Sequence, residues 1–135
     1  MKAVARYGFF TMLVAFLIAF LVQGAGADEM KGKKEKKVYP ALEAPADSAG
    51  QAHNSEGVAA YNQKEWESAE DHFRSAINAD GNLAQAHYNL ALTLDMQGKH
   101  KDAAMEFDKA LKLAPNDTAI ADSPILKRHL ERMKK

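Results

Sequence analysis

The chain of 135 residues contains no cysteine. That excludes disulfides, thiolate metal sites, cysteine nucleophiles and a lipid-modified cysteine. It also lacks net charge, because 18 Lys and Arg balance 18 Asp and Glu. Bulk electrostatics therefore gives no reason to expect a nucleic-acid partner. Short chemical motifs are missing as well: no His-Glu-x-x-His, no glycine-rich phosphate loop and no nucleophile elbow. No enzyme, cofactor or metal is expected on these grounds. A chain of this length allows one domain with an extra segment at one end.

The extra segment is residues 1–27. Lys2 and Arg6 give a basic start, with no acid before Asp28. Phe9–Val22 is apolar apart from Thr11, and Gln23–Ala27 follows with small residues at Ala25 and Ala27. This is the pattern of a secretory signal peptide cleaved near Ala27, and the apolar run is shorter than the ~20 residues a membrane-spanning helix needs. The alternative is a retained anchor facing the periplasm. A cysteine-free chain needs no oxidative folding, which suits the bacterial periplasm. Residues 28–47 follow, rich in Lys, Pro and Ala. Lys31, Lys33, Lys34, Lys36 and Lys37 crowd together before Pro40 and Pro45. With no helical or strand period, this stretch reads as a flexible, extended tether. Its lysines face anionic lipid only if the apolar segment is retained.

Residues 48–135 carry the pattern that organises the chain. Gly50–Leu83 aligns with Ala84–Asp117 without a gap, at an offset of 34 residues. Gln51/Gln85, His53/His87, Ala69/Ala103, Phe73/Phe107 and Ala76/Ala110 are among the identical pairs. Such a period marks a helical repeat array. Helices are expected over 49–63, 66–79, 84–97 and 100–113, with capping-box starts at Ser48/Gln51 and Asn82/Gln85. Around Lys64 and Gly98 the helical pattern breaks for a short turn. Ala69, Phe73 and Ala76 share a face, as do Ala103, Phe107 and Ala110. Alanine lets two helix backbones approach, the phenylalanine fills the space beside the contact, and Gly57 and Ala91 offer matching small sites. Past a polar turn, Ser123 and Pro124 open a last helix, 123–134, with Ile125, Leu126, His129, Leu130 and Met133 on one stripe. Its basic opposite face suits a solvated cap.

The pattern resembles the tetratricopeptide repeat. The small residue of the first helix is met by Gly57 and Ala91. The Ala, aromatic and Ala of the second helix are met by Ala69, Phe73 and Ala76 and by Ala103, Phe107 and Ala110. Pro115 matches the closing proline, while Gly81 stands in its place in the first copy. The resemblance covers about half of the chain and implies an all-α fold, a short α-solenoid of two units (50–83 and 84–117) with a capping helix. It implies that the first helix of each unit lines a concave face on which another protein or a peptide segment binds. The candidate contact stripe is Gln51, Asn54, Val58, Tyr61 and Asn62 on one helix, and Gln85, Tyr88, Asn89, Leu92, Asp95 and Met96 on the other. Asn54, Asn62 and Asp95 are expected to be exposed. Tyr88 and Leu92 are divided between partner binding and burial under the cap.

Some members grip a C-terminal carboxylate with cations and asparagines. Asn89 matches one asparagine, but Asn54 and Val58 are not cationic, so no such clamp is expected. The function expected is a non-enzymatic scaffold or adaptor in the bacterial envelope. Two alternatives stand beside it: a membrane-anchored accessory subunit, and a small histidine-based metal-binding domain using His53 and His87. Homo-oligomers are allowed, since two repeats are few for burying a core.

Overall fold

The computed structural model describes residues 35–135, so the leader expected over 1–27 and the start of the linker lie outside it. Among these residues six helices follow one another: α1 (Gln51–Asn62), α2 (Trp66–Ala79), α3 (Ala84–Met96), α4 (His100–Leu113), α5 (Thr118–Ala121) and α6 (Pro124–Met133). There is no strand among the described residues. The second helix of each repeat has the bounds expected from its periodicity. The first helices are shorter by a residue or two at their ends.

The core follows from the small-residue pattern. Ala69, Phe73 and Ala76 on α2, and Ala103, Phe107 and Ala110 on α4, have no exposed surface. Gly57 lets α1 sit directly on Phe73: a Cβ there would lie 2.5 Å from the ring. Each hairpin turn ends in a Schellman motif, which satisfies the last carbonyls of the first helix. Glu65 N–H reaches the Ala60 carbonyl at 3.0 Å, and Lys99 N–H the Leu94 carbonyl at 2.9 Å. The residue between must take positive φ. Gly98 does so at 82°, and Lys64 at 63°.

The expected capping boxes do not form. Neither α1 nor α3 has a side-chain cap. Ser48 Oγ is buried without a partner. Before α3 the carboxylate of Asp80 instead accepts the Asn82 N–H at 3.0 Å, an Asx turn that precedes the helix. Beyond α4 the turn at Asp117 is capped by its own side chain and opens the short α5, which buries Ile120.

The last helix starts at Pro124, with extended Ser123 before it. Ile125, Leu126 and His129 are buried and Leu130 half-buried, whereas Met133 is 54% exposed and leaves the expected stripe. α6 packs chiefly against α4.

A larger departure concerns residues 36–45. They were expected to be part of a flexible linker, yet this segment, called the strap below, packs on α1 and α3. It has no helical or strand assignment. Tyr39, Ala41 and Leu42 pack against the main core, and Ala44 against Ala76, Leu83 and Ala86. The physical reason is that the two prolines, which speak against a helix, equally favour a stiff extended segment. Such a segment has little conformational entropy to lose on docking. Among the described residues no helix is long and apolar enough to cross a membrane.

Candidate functional site

The site is the face where α1, α3 and the strap meet. Its floor is a pair of asparagines. Asn54 and Asn89 have no exposed surface, and Asn89 Nδ2 donates to Asn54 Oδ1 at 2.9 Å. Both turn their remaining polarity on one residue of the strap. The Leu42 N–H donates to Asn89 Oδ1 at 2.7 Å. The Leu42 carbonyl accepts from Asn89 Nδ2 at 2.7 Å and from Asn54 Nδ2 at 2.9 Å. In an extended chain the N–H and C=O of one residue point to the same edge. A carboxamide offers an acceptor and a donor at matching spacing, so Asn89 reads Leu42 much as a neighbouring strand would. The side-chain amides can be oriented only one way here, because the Leu42 N–H needs an acceptor.

Further contacts continue along the strap. Tyr61 donates its hydroxyl to the Tyr39 carbonyl at 3.0 Å. Burial, together with the fields of Tyr88 and Asp95, pushes the Tyr61 phenol up to about 12, so it remains a donor at any physiological pH. Lys36 Nζ donates to the Asp95 carbonyl at 2.7 Å, at the C-terminal end of α3 where the helix dipole favours a cation. Ser55 donates to the Glu43 carboxylate at 3.2 Å. Most of these bonds end on strap backbone, and so they recognise an extended chain more than a particular side chain.

The contact stripe read from the sequence divides three ways. Asn54, Tyr61 and Asn89 bind the strap. Val58, Tyr88 and Leu92 are core residues: the Tyr88 ring stands edge-on to Phe107 with centroids 5.5 Å apart, and its hydroxyl is 2.9 Å from Ser123 Oγ. The cap end of the molecule therefore buries Tyr88, and burial raises its phenol pKa. Gln51, Gln85 and Met96 are half-buried, with Gln85 Nε2 3.4 Å from Asp117 Oδ2. Asn62 is exposed, as expected.

Two expectations of exposure were wrong. Asn54 is covered by the strap. Asp95 is buried because its Oδ1 lies 2.8 Å from His100 Nδ1 and 2.9 Å from His129 Nε2. His129 in turn packs on Phe107. Burial lowers the pKa of His129, against the pull of Asp95, so the ring is held neutral and donates to the carboxylate.

The two histidines at equivalent repeat positions do not share a site. His87 lies 2.7 Å from Glu106 and 3.1 Å from the Gly81 carbonyl. His53 shares Glu56 with His72. Among the described residues two triads could offer ligands to a metal: His53, Glu56 and His72, and Asp95, His100 and His129. Lys36, Lys37, Arg128 and Arg132 line the same hollow of about 220 Å³ as Asp95 and His100, and their charge opposes a cation there.

Asn54 and Asn89 both stand in the contact stripe expected from the sequence, whereas Tyr39 and Leu42 do not. Three large apolar side chains, Val38, Tyr39 and Leu42, in a supposed tether were the available signal. That the two asparagines bond to each other had no signal in the repeat alignment, since they lie 35 residues apart, one more than the period.

Paired helices stacked at a fixed interval, with an extended segment across the first helix of each pair, define a helical-repeat protein. Tetratricopeptide repeat family models match residues 84–117 and 40–84. Together they span more than half of the chain, and the protein belongs to the tetratricopeptide repeat family. Repeats of this family generally mediate protein–protein contacts and form non-catalytic scaffolds. No curated protein matches the chain.

Proposed function

We propose that this protein is a non-enzymatic interaction scaffold of the bacterial cell envelope, which binds a partner protein through the face formed by α1 and α3. The observation that carries the reading is the asparagine floor: Asn54 and Asn89 satisfy both backbone groups of one residue in an extended segment. A face that captures main chain in this way is built for a peptide segment. The leader-like residues 1–27 support export, cleavage near Ala27 and action in the periplasm, with retention of the apolar run giving an anchored form of the same scaffold.

A photoreactive residue in place of the exposed Asn62 tests this in the native cell. One defined envelope protein should be crosslinked, and its yield should fall when Asn54 and Asn89 are both changed to leucine. Capture that ignores those changes, or no specific protein at all, rejects the reading. The intact mass of the same protein reports the leader, with a mature chain beginning at Asp28 expected.

A further inference from the structure

The groove is not open. Resting on the scaffold reading, we propose that it selects an extended peptide with a large aliphatic residue at the place of Leu42 and an aromatic residue three positions earlier, and that the strap is its built-in competitor. The strap is the template for this pattern. Leu42 supplies both gripped backbone groups and a half-buried side chain, and Tyr39 supplies the carbonyl taken by Tyr61 and a half-buried ring. Pro40 between them holds the chain extended. Its missing N–H costs nothing, because the floor uses no donor at that position.

Val38, Pro40 and Glu43 point their side chains largely to solvent and set no requirement. Glu43 adds one exposed contact to Ser55. The recognised pattern is therefore apolar at its two anchors, with spacing aromatic-x-x-aliphatic, and it takes a cation three residues before the aromatic, where Lys36 meets the Asp95 carbonyl. It is not an acidic peptide and not a chain terminus.

Covalent attachment makes the strap a strong competitor despite its modest contacts. A segment joined to its own site by a short connection acts at an effective concentration in the millimolar range. A free peptide with the same contacts must exceed that to enter. The affinity seen from outside is the intrinsic affinity reduced by the fraction of molecules whose groove is vacant. A partner therefore needs either more contact than the strap makes or something that pulls the strap away.

The test uses a fluorescent peptide with the sequence of residues 36–46 and the full chain in two forms, unchanged and Tyr39→Ala/Leu42→Pro. The proline removes the N–H held by Asn89, and the alanine removes the aromatic anchor. The double variant should bind the peptide at least about tenfold more tightly than the unchanged chain. Adding Asn89→Leu to the double variant, or replacing the leucine of the peptide by aspartate, should abolish that gain. Equal affinity for both forms overturns the proposal, as does a folded double variant that binds nothing.

Should the double variant fail to fold, hydrogen exchange on the unchanged chain decides. Saturating peptide should accelerate exchange of the Leu42 amide, and unaltered protection overturns the proposal. These outcomes are separable from the cellular test. Capture of a partner that depends on Asn54 and Asn89, combined with no peptide competition, leaves the scaffold standing and removes the strap's role.

Discussion

At the residue scale, the repeat places chemically different side chains in equivalent positions, and geometry decides which is at ease. Lys64 and Gly98 both sit at the left-handed residue of a Schellman turn. Only glycine takes that conformation without a steric cost, which for other residues is roughly 1 kcal/mol. Lys64→Gly should therefore raise stability by up to about 1 kcal/mol, and Gly98→Ala should lower it by a similar amount. A pair of thermal melts checks both signs. Gly57 has the opposite constraint, a lack of space. Gly57→Ala improves helix propensity but drives a methyl into the Phe73 ring. A net loss of about 1–3 kcal/mol in denaturant unfolding is expected.

At the element scale, α6 is needed because two repeats leave one side of α4 without a neighbour. Ile125 and Leu126 bury against it, each contributing about 1.5–3 kcal/mol of apolar transfer. His129 and Ser123 tie the same end to Asp95 and Tyr88 on α3. Removing residues 122–135 takes away several kcal/mol from a fold whose total stability is of order 5–15 kcal/mol. The shortened chain should unfold or aggregate. A monomer with an unchanged helical melt would reject that. The second helices are cross-braced independently, since Lys99 at the start of α4 binds Glu70 on α2 at 2.9 Å.

At the scale of the whole molecule, pH should act through three groups of known direction. Burial alone would raise the pKa of Glu70, but hydrogen bonds from Lys99 and Arg74 hold it at about 2 against 4.5. Burial likewise opposes ionisation of Glu106, and His87 and Lys109 outweigh it, so its pKa is also lowered. Carboxylates depressed in this way contribute stability that is present above pH 4.5 and lost as pH falls toward their folded values. His129 is depressed by burial from 6.5, so folding favours its neutral form. Its contribution is complete above pH 6.5 and declines below it. The melting temperature should fall first below pH 6.5 and more steeply below 4.5. Calorimetry across pH 3–8 checks the profile, and His129→Gln should flatten its upper part only.

The repeat, the helix bounds and the core were legible in the sequence because each depends on local spacing. An Ala-Phe-Ala stripe with the right interval must face a small residue, and Gly57 and Ala91 stood at the matching places. Even the turns at Lys64 and Gly98 were marked by a break in the period. What the spacing could not convey is which exposed face stays exposed. Asn54 and Asp95 look like surface residues on a helical wheel, yet one is covered by the strap and the other by two histidines. The strap lies outside the repeats, 12 residues from Asn54, and His129 lies outside them, 34 residues from Asp95, while His100 reaches Asp95 from the next helix of the same repeat. The local pattern of residues 36–45 showed only that they would be extended. Docking of that extended segment depended on a hydrogen-bonding edge, and Asn54 and Asn89 form that edge only once α1 and α3 stand side by side.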